Sequence, residues 1–191
     1  GPAGGFYAKV ADVIRRDVAL VVNNVGVGVD SPLTHDELDE SMLERMVSIN
    51  CLATANMCRV ALPLLAERGG VIVNVGSGSA AQPTPYLSHY SATKAFVEQL
   101  SRSLDREWRP RNVRVLCAAP YYVSSTGLYK ARASWHAPPA QAIVDGVFAT
   151  LGDARQELFL VLAGCGLFGR RWGRPPGPIW SISQLGGNGQ G

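Results

Sequence analysis

Charge is scarce in this sequence. Only 17% of its 191 residues are Asp, Glu, Lys or Arg, and the formal net charge is +3. Cations so few and scattered cannot build the basic field that nucleic acid requires. The one basic cluster, Arg170, Arg171 and Arg174, reads as a solvated tail rather than a lipid-headgroup patch. Cysteine is sparse too. Cys51, Cys58, Cys117 and Cys165 show no C-x-x-C and no histidine at ligand spacing, which argues against a metal site and against disulfide stapling. They read as reduced thiols, with Cys51 and Cys58 as ordinary helix filler. No apolar run approaches the ~18–20 residues that span a bilayer. The nearest, Leu158 to Phe168, is short and is broken by Gly164 and Gly166. No leader pattern is visible, and the chain begins Gly1-Pro2 without Met, so a preceding segment is expected in the intact protein.

What the chain does have is apolar content, 47% of its residues, enough for one globular domain with a sizeable core. Phe6, Val10, Val13 and Ile14 recur at helical spacing and predict an amphipathic helix. Val18 to Val22 is a short run without alternation, as in the centre of a parallel sheet, and it ends in the turn-rich Asn23-Asn24-Val25-Gly26. Thr34-His-Asp-Glu37 reads as a capping box that opens a long helix through Leu43, Met46, Val47 and Leu52 to about Leu62. Asn50 lies inside that pattern, between Ile49 and Cys51, so it points at or near the core. Gly69-Gly70 stop the helix, and Val71 to Val75 is the second strand.

Ser88 can cap the next helix, where Ala95, Phe96, Leu100, Leu104 and Trp108 keep helical spacing down to Pro110. Val113 to Ala118 is a third strand, Tyr121 to Pro138 a long irregular loop, Pro139 to Leu151 a short helix and Glu157 to Ala163 a last strand. Residues 164–191, rich in Gly, Pro and Arg, are expected to form a poorly ordered tail. Alternation of this kind predicts an α/β fold, a parallel sheet with helices on both faces. Ligands of such folds sit at the carboxyl ends of the strands. Asn23-Asn24, Ser77 and Pro120 fall just past strand ends and share that rim.

The stretch from Gly70 to Lys94 carries the chemistry. Ser77 follows a strand, and Tyr90 and Lys94 are four apart on a helix, so the phenol and the ammonium share one face. Ser79 competes with Ser77 for the same role, and spacing favours Ser77. Asn50 reads either as a site residue or as a structural asparagine bonding backbone. His89 points about 100° away around the helix and reads as a surface histidine. His35 belongs to its helix start, and His136 has no reading.

These motifs resemble the short-chain dehydrogenase/reductases over roughly residues 6 to 163. Asn23-Asn24-Val25-Gly26, Asn50 in Ser-Ile-Asn-Cys-Leu, Ser77 thirteen residues before Tyr90, and Tyr90-x-x-x-Lys94 occur in that family's order. Pro120-Tyr-Tyr-Val, Val-Gly-Ser-Gly-Ser and Tyr90-Ser-Ala-Thr-Lys-Ala-Phe are similar to its 17-beta-hydroxysteroid dehydrogenase and very-long-chain 3-oxoacyl-CoA reductase branch. The resemblance implies a Rossmann-like doubly wound sheet, truncated at its N-terminus because the family's Gly-rich dinucleotide loop is missing. Residues 1–163 would be the C-terminal part of that domain. Neither Gly1 to Gly5 nor Gly26-Val-Gly28 replaces the loop. Without the strand that pairs beside Val18–Val22, an apolar edge would lie open, and the chain alone would be aggregation-prone or molten.

The resemblance also implies hydride transfer between NADP(H) or NAD(H) and a ketone or secondary alcohol of a steroid or 3-oxoacyl-CoA. Tyr90 would exchange the proton, Lys94 would favour its phenolate and hold the nicotinamide ribose, Ser77 would hold the substrate oxygen, and Asn50 would order a water reaching Lys94. Asn23 and Gly26 would line the adenosine side of the cofactor, and Val123 and Ser125 its amide. Tyr121 and Tyr122, with Tyr129 and Trp135, read either as an apolar wall for a lipid-like substrate or as loop anchors. Homodimerisation through the helices holding Asn50 and Tyr90 and an endoplasmic reticulum association of the intact protein are further implications. The branch's membrane anchor is not in this chain. A second reading is a truncated, catalytically silent homologue that serves as an interaction partner.

Overall fold

The computed structural model describes residues 2–121, 123, 138–151, 159–163 and 166–169. Helix α1 (Pro2–Asp17) leads into strand β1 (Leu20–Asn23). Helices α2 (Glu40–Met46) and α3 (Thr54–Ala66) are joined without a break by a π-helical stretch, Val47–Ala53. Gly69, at φ +84, makes the turn into β2 (Gly70–Val75), a left-handed geometry that glycine adopts without strain. Helix α4 (Ser88–Trp108), β3 (Val113–Pro120), α5 (Ala140–Leu151), β4 (Phe159–Ala163) and β5 (Gly166–Gly169) complete the order.

The five strands lie in sequence order, β1-β2-β3-β4-β5. The first four are parallel and β5 returns antiparallel on β4. The expected parallel sheet with helices on both faces is therefore what the chain forms. Strand β5 is a difference, because it falls in the stretch read as tail. Its backbone pairs Leu160 with Gly169 through Ala163 with Gly166, so a short hairpin return, not apolar alternation, adds the strand.

Alternating side chains divide the core. Val21, Ile72, Val113 and Val115 face α1, α3 and α4, meeting Ile14, Cys58, Ala61, Leu62 and Leu65. Val73, Leu116 and Ala118 point the other way, with Leu20, Val71, Val147 and Leu151 packed against them, so α5 covers that opposite face. Only part of the α1 stripe is buried. Ile14 is 5% exposed, whereas Phe6 and Val13 are 59% and 57% exposed, because the apolar contact of α1 with the core runs through Val10 and Ile14.

Two expected helix boundaries shift. The Glu37 carboxylate does accept from the Thr34 N–H and hydroxyl, both at 2.8 Å, but that box closes only a single 3-10 turn, His35–Glu37. Asp39 occupies the N-cap of α2 instead. Ser88 is the first residue of α4 rather than its cap, and its hydroxyl meets His35 Nδ1 at 3.3 Å. The run Glu40–Ala66, 27 residues, is long and apolar enough by length and composition to cross a membrane, which the sequence reading did not find. Met46, Asn50, Cys58, Ala61, Leu62 and Leu65 on it are buried inside this fold, the placement of a core helix.

Candidate active site

The glycine loop after β1 lies against the three polar residues that the sequence singled out. A Cβ on Gly26 would sit 3.2 Å from Lys94 Nζ and 3.4 Å from Asn50 Oδ1, and one on Gly28 would sit 3.4 Å from the Tyr90 ring. These are tight approaches, so small residues let the backbone reach the ammonium and the phenol ring. Gly26 thus stands beside Lys94.

Asn50 holds that loop in place. Its Nδ2 donates to the Val27 carbonyl at 2.9 Å and to Thr93 Oγ1 at 3.0 Å, and its Oδ1 accepts from the Val27 N–H at 2.8 Å. The pairing to one N–H and one C=O fixes which end of the amide is which. Thr93 Oγ1 passes the chain on by donating to the Tyr90 carbonyl at 2.8 Å. Asn50 is 1% exposed, and its side chain clamps backbone 23 residues away.

Tyr90 and Lys94 lie one turn apart near the start of α4, as the spacing predicts. Lys94 Nζ is 5.8 Å from the Tyr90 ring centroid. The Tyr90 ring packs against Val29, Met46 and Leu87, which sets its rotamer from below. Lys94 is 5% exposed and donates to the Val75 carbonyl, the last of β2, at 2.9 Å. That bond ties α4 to the strand end from which Ser77 projects. Among the described residues no carboxylate pairs with Lys94. Burial lowers its pKa, while the neighbouring thiols of Cys117 and Cys51 act in the opposite sense.

Ser77 caps a short 3-10 turn, Gly78–Ala81, with its own oxygen, and is 8% exposed. Ser79 donates to Ser77 Oγ from its amide at 3.3 Å and its hydroxyl at 3.0 Å, so the two serines are hydrogen-bonded to each other. A Cβ on Gly78 would lie 2.6–2.7 Å from Tyr121 ring atoms, so the ring of Tyr121 lies across Gly78 and beside Ser77. Val123 is half-buried beyond β3. Tyr122, Ser125, Tyr129, Trp135, His136 and Cys165 lie outside the described residues.

Asn23 ends β1. Its amide donates to Asn74 Oδ1 at 2.8 Å and approaches Cys58 Sγ at 3.7 Å, because odd-numbered side chains of β1 face α3 and α4. Asn74 in turn donates to Ser101 Oγ at 2.9 Å. This polar chain crosses the core and locks β1 to β2 in register, away from the rim. The sequence reading missed Asn74, although a lone asparagine within Val-Ile-Val-Asn-Val was a visible signal. It also missed Thr93. His89 Nε2 donates to the Leu43 carbonyl at 3.0 Å, which anchors α4 to α2 and matches a structural role.

Three buried thiols line the helices behind the site: Cys51, Cys58 and Cys117 are unpaired. Burial, and then the Glu98 carboxylate, pushes the Cys117 thiol up to about 12. No group of three His, Cys, Asp or Glu residues that could hold a metal occurs among the described residues.

A hydroxyl, a phenol and a buried ammonium lie on elements that meet at the carboxyl end of a parallel α/β sheet, and such groups can hold or move a proton. The family model for short chain dehydrogenase matches residues 6–137. Mouse "inactive hydroxysteroid dehydrogenase-like protein 1" is 34% identical over 157 residues, covering 79% of this chain and 48% of that protein. Bovine very-long-chain 3-oxoacyl-CoA reductase is 34% identical over 152 residues, covering 77% of this chain and 48% of the relative. A short-chain dehydrogenase from Burkholderia cenocepacia, solved in complex with NADP, superposes with a TM-score of 0.70 at 26% identity, over 80% of this chain and 63% of its own. The chain belongs to the short-chain dehydrogenase family. It spans about half the length of the relatives it matches, 48% in both cases.

Proposed function

We propose that this chain carries the proton-transfer side of a nicotinamide-dependent ketoreductase site. Its substrate would be a ketone or secondary alcohol of a lipid-like molecule, a steroid or a 3-oxoacyl thioester. The observation that carries the reading is Lys94: a buried ammonium that pairs with no carboxylate among the described residues, one helical turn from Tyr90 and bonded to the strand end before Ser77. A positive charge held near a phenol favours its phenolate form.

The residues present fit a nicotinamide dinucleotide on its ribose side. Lys94, which meets no carboxylate among the described residues, offers its remaining N–H groups to neutral hydroxyls, and Gly26 lets the backbone approach it closely. The dinucleotide, when bound, supplies or accepts the hydride. This chain's own residues do the rest. Ser77 donates to the substrate oxygen, Tyr90 gives or takes its proton, Lys94 holds the charge that tunes Tyr90, and Asn50 holds the loop against both. Tyr121, with Tyr122 beyond the described residues, would form the apolar wall beside the oxygen. Val123 and Ser125 would meet the amide of the cofactor, and Asn23 and Gly26 would line its adenosine side.

Exposed Val47, Leu52 and Phe96 on the outer side of the site's helices, at 46%, 57% and 43%, support a homodimer through those helices. Resemblance to the 3-oxoacyl-CoA reductases favours an endoplasmic reticulum association for the intact protein. A catalytically silent homologue is the second reading. It is favoured by the half-length match and by relatives whose own name calls them inactive.

Nicotinamide fluorescence titration of the folded chain separates the two. Enhanced fluorescence on binding supports the first, and its absence leaves only the second. Where binding occurs, Tyr90→Phe should cut turnover by ~10²–10⁴-fold with cofactor affinity nearly unchanged. Turnover retained in that variant overturns the Tyr90 assignment.

A further inference from the structure

Ser77 Oγ has two acceptor lone pairs and one proton to give. Ser79 fills both acceptor positions, one with its amide N–H at 3.3 Å and one with its hydroxyl at 3.0 Å. The Ser77 proton is then left to point elsewhere. Its geometry is firmly built. The Ser77 carbonyl accepts from the Ala80 N–H at 3.1 Å, and Thr84 Oγ1 donates to the Ser79 carbonyl at 3.2 Å. The turn that carries both serines is thus pinned on each side. Tyr121 lies across the Gly78 flank, so the Ser77 proton is left to turn away from Ser79, on the side where Ser77 keeps its 8% exposure.

We propose that Ser79 is a positioning residue that fixes Ser77 as a hydrogen-bond donor towards the carbonyl oxygen of the substrate. The inference rests on the reading of Ser77 given above. Its physical content is twofold. A hydroxyl free to rotate donates for only part of the time, whereas one whose lone pairs are both taken donates in one direction. Chained hydrogen bonds also polarise one another, so Ser77 becomes a stronger donor as negative charge grows on the oxygen.

The test reads the bound carbonyl directly, with no nicotinamide present. The probe is 2-octanone labelled with ¹³C at the carbonyl, added to the full chain and followed by infrared difference spectroscopy. A donor on the oxygen lowers the stretching frequency. Ser79→Ala keeps the amide donor but loses the hydroxyl, and should move the bound band part of the way back to the frequency of free ketone. Ser79→Thr keeps the hydroxyl and should restore the native band. Ser77→Ala should give the full return. In turnover with nicotinamide, Ser79→Ala should lose about fivefold in kcat with little change in KM, the size of one neutral hydrogen bond.

An unmoved band in Ser79→Ala, or one moved further from the free value, overturns the proposal. The second result would mean that Ser77 donates to Ser79 in the native protein. If either occurs while Ser77→Ala still returns the band, only the role of Ser79 falls. If Ser77→Ala also leaves the band unmoved, the reading of Ser77 falls with it.

Discussion

Lys94 holds a charge in a place that does not suit charge. It is 5% exposed, and its main hydrogen bond goes to a neutral carbonyl, Val75. Burial therefore depresses its pKa below the ordinary lysine value of 10.5. The unfolded chain then binds more protons than the folded one between the depressed value and 10.5, so stability rises with pH across that window. Lys94→Met removes the buried ammonium at similar volume. The expected result is a melting temperature higher by roughly 2–5 °C at neutral pH, with that alkaline rise abolished and turnover lost. Calorimetry at two pH values checks it, and an unchanged or lower melting temperature would mean that the bond to Val75 outweighs the burial. The Tyr90–Lys94 pair was legible because the helical repeat alone sets it. The partners of Asn50 were not, since Val27 and Thr93 reach it only through tertiary folding over 23 and 43 residues. The Ser79–Ser77 bond depends on hydroxyl geometry, and spacing says nothing about that.

Helix α4 carries the site at one end and a clamp at the other. Near its C-terminus Asp105 is 5% exposed and accepts from the Val115 N–H and from Arg114 Nε, each at 3.0 Å, and from Arg109. Burial alone would raise its pKa, but the Val115 amide and the two arginines outweigh it and hold the carboxyl below 3.8. A depressed carboxylate gives stability that is present above the unfolded pKa and lost as pH falls through the folded value. Asp105→Asn should therefore cost about 2–4 kcal/mol near neutrality, and should remove part of the loss seen on acidification below about pH 4. A denaturant series at pH 7 and pH 3.5 measures both effects, and equal losses at the two pH values would contradict the assignment. Because the clamp joins α4 to β3, the rigidity of the helix that carries Tyr90 and Lys94 depends on it.

The elements themselves read well where apolar runs were bounded by glycine or proline, as at Val71–Val75. The π-helical stretch did not. The stretch Val-Ser-Ile-Asn-Cys-Leu-Ala keeps helical character on both sides, so no breaker in the sequence marks it. The capping box at Thr34 misled for the opposite reason, since it is a local device that can close one turn and go no further.

At the scale of the whole molecule the parallel sheet followed from the alternation of elements, and its weak side followed from the family resemblance. That weak side is now specific. β1 pairs with β2 only, so among the described residues nothing covers its outer edge. Val22 is 53% exposed, on the face that Leu20, Val71 and Val73 share, and α5 reaches that face through Val147 and Leu151. Val144 and Phe148 on α5 are also open, at 43% and 58%. An unpaired strand edge beside exposed apolar side chains is a template for pairing with another chain. The chain alone should therefore self-associate at about 10 µM and bind a hydrophobic dye at neutral pH. Val22→Lys places a charge on the exposed face of the edge strand without touching Ser77, Tyr90 or Lys94. It should lower both the association and the dye signal, because a lysine there resists desolvation by a docking strand. Sedimentation velocity with parallel dye titration gives the answer. A monomeric native sample with a sharp, cooperative thermal transition would show that the open edge is closed in some other way, and an unchanged sedimentation profile in Val22→Lys would locate the association elsewhere.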